Sequence, residues 1–237
     1  MSEERVRLDG AQAAIYDASR YHDYDERWFD GDFYRRNGAR LHSTTGRGGV
    51  LVFDRGVETW VLRHYHRGGL VARFIYDHYL WTGLDRSRAF REWRLLARLA
   101  ALELPSPRPI AARVIRQGPI YQADIVTSLI PATRPLSSFL RDGHVANAQW
   151  AAIGAMVRAF HRHSVDHPDL TAHNILIGDA NRVFLVDFDN ARLRTPGKWE
   201  RAGLSRLERS LRKVALETGT RFDDDAWRLV VAAYDGG

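Results

Sequence analysis

The chain contains no cysteine, which excludes disulfides, thiolate nucleophiles and cysteine-ligated zinc. Lysine is nearly absent: of 35 basic residues only Lys198 and Lys213 are lysine, and the others are arginine. No lysine precedes position 198, so a cation needed earlier in the chain must be something else. No apolar run approaches the ~18 residues that a membrane-spanning helix requires. The N-terminal Met1-Ser2-Glu3-Glu4-Arg5 carries acids and lacks an apolar stretch, so it does not read as a signal peptide. There are no internal repeats and no low-complexity segment. These absences together predict a cytoplasmic protein.

What is present suits a packed core. The 237 residues are 45% hydrophobic, enough for one domain or two closely packed lobes. A formal charge of +6 is compatible with codon bias or with anionic partners. The basic residues follow no recognised nucleic-acid-binding motif, so no nucleic-acid partner is expected.

Residues 1 to about 35 are polar and aromatic, and packing against a lobe is the expected role of Tyr16, Tyr21, Tyr24, Trp28, Phe29, Phe33 and Tyr34. A glycine-rich turn, Gly46-Arg47-Gly48-Gly49, feeds Val50-Leu51-Val52-Phe53; after Asp54-Arg55-Gly56 comes Thr59 to Tyr65. This reads as an antiparallel meander. Ser87 or Asp85 then caps a helix to about Leu99 or Ala101, with Phe90, Trp93, Leu96 and Ala97 at helical spacing. Ala111–Ile115 and Tyr121–Leu129 read as strands, residues 130–135 as a hinge, and Ala148–His163 as a long helix. The predicted division is 1–130 and 131–237, an N-terminal lobe covering nucleotide phosphates and a C-terminal lobe with the catalytic loop.

Chemistry concentrates between His167 and Asp189. His167-Pro168-Asp169-Leu170-Thr171-Ala172-His173-Asn174 leads into the apolar Ile175-Leu176-Ile177. Gly178 to Asn181 is a turn, and Val183 to Val186 returns to Asp187-Phe188-Asp189. The hairpin brings a carboxylate, Asp187, back beside an amide, Asn174. Both offer hard oxygen ligands suited to a cation bridging phosphates. The order H-x-D-L-x-x-x-N followed by D-F-x is that of a kinase catalytic loop and its metal-binding element. Asp169 would accept the proton of an attacking hydroxyl, and Asn174 and Asp187 would hold Mg²⁺ against ATP.

Such a site needs a phosphate cover and a cation. Gly46, Gly48 and Gly49 let backbone N–H groups approach phosphates closely. On the following strand Trp60-Val61-Leu62-Arg63 puts Arg63 where kinases carry lysine; whether Arg63 or His64 turns inward stays open. Glu92, on the next helix, is the candidate partner of that cation. His167 reads as a brace for the loop.

Three segments extend this pattern: Arg63-His64-Tyr65 with Arg67-Gly68-Gly69-Leu70, Arg91-Glu92 with Leu95-Leu96, and Leu207-Glu208-Arg209-Ser210-Leu211. With the central loop they resemble the bacterial lipopolysaccharide kinase family of Kdo and heptose kinases, within the protein-kinase-like superfamily, over about residues 35–215. The resemblance implies an α+β, protein-kinase-like two-lobed fold, with an N-terminal antiparallel sheet plus helix and a mainly helical C-terminal lobe. It implies transfer of phosphate from ATP, with Mg²⁺, to the 4-hydroxyl of a Kdo residue on a lipid A precursor. The enzyme would act peripherally at the cytoplasmic face of the inner membrane, and no protein substrate is expected because no A-P-E element follows Asp189. A heptose kinase, an aminoglycoside- or choline-type phosphotransferase and a nucleotide-binding pseudokinase are the alternatives. Leu204, Leu207, Leu211 and Val214 form one stripe of a basic helix, which either docks on anionic lipid or packs on its own lobe. Arg67, Arg73 and Arg192 or Arg194 are candidates to bind the acidic sugar.

Overall fold

The computed structural model describes residues 3–37, 40–42, 50–65, 78–219 and 222–236. The turn at Gly46, Gly48 and Gly49, and the segment Arg67 to Leu70 with Arg73, lie outside the described residues. The chain forms two compact units, Met1–Ala101 with Pro107–Leu129 and Leu102–Ser106 with Ile130–Gly237.

In the first unit the strands are β1 (Glu4–Asp9), β2 (Gln12–Asp17), β3 (Arg40–His42), β4 (Val50–Arg55), β5 (Glu58–His64), β6 (Tyr79–Leu80), β7 (Pro109–Gln117) and β8 (Ile120–Ser128). Among the described residues they make one antiparallel sheet in the order β1-β2-β7-β8-β5-β4-β3, with β6 also on β8. Residues 3–17 thus form a hairpin that joins the sheet, which composition alone did not suggest. Arg5-Val6-Arg7-Leu8-Asp9 alternates polar and apolar residues, yet every residue of β1 is exposed, so the alternation marks no buried face. The turn is made by Gly10-Ala11, where Gly10 adopts φ +56°.

The two faces of the sheet bury different partners. Helix α1 (Gly31–Arg36) and the turn before it carry the N-terminal aromatics onto one face. Trp28 meets Trp60 edge-on at 5.4 Å, and Tyr34 stacks on Phe53 at 3.6 Å. Helix α2 (Arg88–Ala101) packs on β7 and β8 through a stripe of Phe90, Trp93, Leu96 and Leu99, none more than 1% exposed. Ser87, not Asp85, begins that helix: its carbonyl accepts from Arg91 N–H at 3.1 Å. The Asp85 carboxylate instead accepts from Arg94 at 2.8 Å.

The second unit comprises β9 (Arg134–Pro135), α3 (Leu136–Arg141), α4 (Asn147–Arg162), β10 (Val165–Asp166), β11 (Ile175–Ile177), β12 (Val183–Leu185), β13 (Arg192–Leu193), α5 (Trp199–Glu217) and α6 (Asp224–Asp235). β12-β11-β9 form one small sheet and β10-β13 another. The segment expected to be a hinge holds β9, which pairs with β11. Leu102–Ser106 belongs to this unit because Leu185 N–H donates to Pro105 C=O at 2.9 Å. Gly154 lets α4 approach α6 closely: a Cβ there would meet Val230 O at 2.1 Å. On α5 the stripe Leu204, Leu207, Leu211 and Val214 is at most 5% exposed. Of the two roles open to that helix, the apolar face is taken by the unit's own core. Several of its basic residues are paired as well, Arg212 with Glu208 and Asp224, and Arg201 with Asp235.

One buried histidine ties three helices together. His161 on α4 pairs through Nδ1 with the Tyr234 hydroxyl of α6 at 2.8 Å and lies edge-on to Trp199 of α5. Burial pushes its pKa from 6.5 down to about 4, with Asp166 opposing. The unfolded chain therefore binds the extra proton between those values, so stability is complete above pH 6.5 and falls as the pH drops toward 4. A displacement of that size corresponds to about 3 kcal/mol. Urea unfolding from pH 7 to 4 should show this loss in the wild type and not in His161→Gln; equal pH slopes would contradict it.

Candidate active site

In the first unit, strand alternation sends Arg63 and His64 to opposite faces of β5. Arg63 Nη2 lies 2.5 Å from both carboxylate oxygens of Glu92 on α2. The Glu92 side chain is 3% exposed, the Arg63 side chain 24%. The Tyr65 hydroxyl also donates to Glu92, at 2.5 Å, and Arg63 stacks over the Tyr65 ring at 5.0 Å. The expected Arg63–Glu92 pair is thus formed, on the face covered by α2. His64 turns the other way: its Nδ1 is 2.7 Å from Asp124, which also accepts from Arg113 at 2.7 and 3.0 Å. A cavity of about 610 Å³ opens on that face, lined by Phe29, Asp30, Arg35, His64, Arg113 and Asp124 among others; of the described candidates weighed from the sequence it takes in His64, the alternative to Arg63.

In the second unit, the loop after β10 is held from several sides. The Asn174 side-chain amide donates to Asp169 C=O at 2.8 Å, closing the loop on itself. Val186 N–H donates to Asn174 C=O at 2.9 Å, so the β11–β12 hairpin does return Asp187 beside Asn174. His167 Nε2 lies 3.1 Å from Val186 C=O, and the ring meets Phe188 edge-on at 5.0 Å. His167 is the brace that its position suggested; burial keeps its pKa below the ordinary value and the ring neutral. The Ala172 amide, fully buried, donates to Ser210 Oγ at 3.1 Å. That contact explains the Leu207-Glu208-Arg209-Ser210-Leu211 segment physically, since a mid-helix hydroxyl satisfies a loop amide that would otherwise be orphaned.

The polar groups left at the surface of this loop are the expected ones. Asp169 is exposed, and one carboxylate oxygen accepts from Asn190 at 3.3 Å. His173, four residues on, is exposed as well. Asp187 adopts φ +66°, a left-handed conformation that costs a non-glycine residue about 1 kcal/mol. Strain of this kind survives where the surroundings fix the backbone, and it concentrates at functional sites. Sequence reasoning missed Asn190, and it quoted Tyr65 and Ser210 only inside segments that carry the resemblance, without a role for either. Each role is defined by a partner at least 21 residues away.

A kinase-like fold with a hairpin-braced Asp/Asn/Asp loop is the class these features define. Among solved structures the fold is similar to that of WaaP in complex with acyl carrier protein, with a TM-score of 0.59 and 16% identity over 98% of this chain and 88% of that one. The model of the lipopolysaccharide kinase (Kdo/WaaP) family matches residues 31–234, and the chain belongs to that family. It is 33% identical to the 3-deoxy-D-manno-octulosonic acid kinase of Vibrio cholerae over 94% of each chain. It is 38% identical to that of Xanthomonas oryzae over 93% of this chain and 88% of the relative. With the Stenotrophomonas maltophilia enzyme of the same description it shares 40% over 83% and 79%. The expected fold class and family are therefore both borne out.

The Glu92 cluster makes a stability prediction. Glu92→Ala removes the carboxylate that accepts from both Arg63 and Tyr65, and should cost about 3 kcal/mol. Tyr65→Phe removes one hydrogen bond and should cost about 1 kcal/mol. Chemical denaturation of the two variants should give this order; equal costs would mean that Arg63 gains little from Glu92.

Proposed function

We propose that this chain transfers the γ-phosphate of ATP to the 4-hydroxyl of a Kdo residue on a lipid A precursor. The observation that carries the proposal is the exposed Asp169 carboxylate on a loop tied through Asn174 and Val186 to Asp187. Kinship to the 3-deoxy-D-manno-octulosonic acid kinases supplies the acceptor. In this reading the acceptor hydroxyl gives its proton to Asp169 while its oxygen attacks the γ-phosphorus, and the bond to the β-phosphate breaks to release ADP. Asn190 engages one Asp169 oxygen and so orients the carboxylate, leaving the other for the proton.

Arg63 would hold ATP phosphates in the first unit, with Glu92 fixing its guanidinium and the Gly46, Gly48 and Gly49 turn covering them. Arginine can serve here because its charge is permanent and its donors match phosphate oxygens. Its pairing with Glu92 reproduces the role of the absent lysine and favours an active enzyme over a pseudokinase.

The residues present also fit Mg²⁺. The Asn174 amide nitrogen is committed to Asp169 C=O, so the group offers its oxygen, and Asp187 adds a carboxylate. Among the described residues no group of three or more His, Asp or Glu side chains suited to a metal assembles. Two hard ligands, with phosphates and water completing the shell, are what Mg²⁺ commonly accepts. When bound, the ion would neutralise charge on the phosphates during transfer.

A lipid-borne acceptor would put the enzyme at the cytoplasmic face of the inner membrane. Among the described residues no helix is long and apolar enough to cross a membrane. Because the apolar stripe of α5 is buried, attachment would be peripheral, through basic side chains and the acceptor itself.

The test is a mass spectrum of Kdo-bearing lipid A precursor after incubation with the purified protein and Mg-ATP. The wild type should add one phosphate. Asp169→Asn should be folded and at least a thousandfold slower. Wild-type protein that modifies only heptosylated or soluble acceptors, or an Asp169→Asn variant with full turnover, would refute the assignment.

A further inference from the structure

Two arginines beside the catalytic loop have no part in this mechanism. β10 leads directly into the loop, and β13 follows Asp187-Phe188-Asp189; the two strands pair antiparallel with Asp166 opposite Arg192. Asp166 is 5% exposed. Its Oδ2 accepts from Arg192 Nε at 3.2 Å and from Arg194 Nη1 at 3.1 Å. The backbone is fixed as well, since Arg194 N–H donates to Ser164 C=O at 2.8 Å. One guanidinium would neutralise that carboxylate. The second leaves a surplus positive charge on a rigid ribbon.

The surplus is presented at the surface. The side chains of Arg192 and Arg194 are 52% and 43% exposed, although the carboxylate that anchors them is buried. Each guanidinium has five N–H donors, and Asp166 engages one nitrogen of each. A fork of two such groups, pre-oriented by a third, suits a planar or tetrahedral oxyanion. Its location is equally specific. Asn190, whose amide touches the Asp169 carboxylate, is two residues from Arg192, which limits the separation of their Cα atoms to about 7 Å.

We infer that Arg192 and Arg194, held by Asp166, form an oxyanion-recognition subsite that grips an acidic group of the acceptor and so sets acceptor specificity. This rests on the proposed sugar-lipid acceptor, whose acidic groups are the sugar carboxylate and the lipid phosphates. The subsite orients the acceptor so that its hydroxyl, and not another, reaches Asp169.

Two variants test it: Arg192→Ala/Arg194→Ala, and Arg194→Gln, which keeps one guanidinium on Asp166 and guards against loss of the fold. The double variant should raise the acceptor KM at least tenfold, and Arg194→Gln at least threefold, with the KM for ATP within twofold of wild type. Acceptor carrying a carboxamide in place of the sugar carboxylate, and acceptor stripped of lipid phosphates, identify the group gripped: the variants should lose their effect on one of the two. An unchanged acceptor KM in folded Arg194→Gln, or an equal defect on acceptor lacking both anions, would overturn the subsite. Calorimetric titration of free Kdo and of inorganic phosphate separates this from the function itself. If the wild type transfers no phosphate but binds either probe and the variants bind it at least fivefold more weakly, the function fails and the subsite stands. If the wild type binds neither probe, or the variants bind as it does, the subsite fails.

Discussion

The hydrogen bond from Val186 N–H to Asn174 C=O is the contact on which the chemistry proposed for the second unit depends. It joins the end of the returning strand to the end of the loop. Two side chains with hard oxygens, 13 residues apart in sequence, thereby become neighbours. His167 grips Val186 from the other side, and Phe188 packs on His167 with 1% exposure. The polar loop is thus pinned by the apolar residue of the Asp187-Phe188-Asp189 element itself. The positive φ of Asp187 follows from this arrangement: the backbone must turn sharply between a residue held by two hydrogen bonds and a buried ring.

The near absence of lysine shapes the first unit. An arginine at position 63 delivers permanent charge, but its large planar head needs more support than an ammonium. Glu92 and Tyr65 provide it, one by accepting and one by stacking while sharing the same carboxylate. His64, adjacent in sequence, is committed to Asp124 on the other face. The alternation of a single strand therefore resolves which cation stands with α2.

Elements whose signal is local were legible in the sequence. The α2 stripe, β4, β5, β7, β8 and the β11–β12 hairpin all lie within a few residues of the expected positions, because apolar periodicity and turn residues report burial directly. Asp169, Asn174 and Asp187 stood out as candidates because H-x-D-L-x-x-x-N, an apolar hairpin and D-F-x follow one another in kinase order, and of that reading the structure shows the hairpin that brings Asn174 and Asp187 together. Long-range pairings were not legible. β1 alternates Val6 and Leu8 with charged residues over too short a run to stand out, and both its faces are exposed. Gly154 looks like a weak helix position until Val230 is placed against it. The link of Asp166 to Arg192 and Arg194 spans 26 and 28 residues and depends on a two-residue strand pair. Likewise the basic helix α5 carried a pattern fit for a lipid surface, and only burial of its stripe showed that the pattern serves the core.

The central claim, that the hairpin assembles a metal–nucleotide site from Asn174 and Asp187, is tested most directly by calorimetric titration of ATP with and without Mg²⁺. Wild-type protein should bind ATP at least tenfold more tightly when Mg²⁺ is present. Asp187→Ala, folded and with His167 still braced on Val186, should bind ATP equally with and without the ion. A variant that keeps the full Mg²⁺ dependence of the wild type would contradict the account.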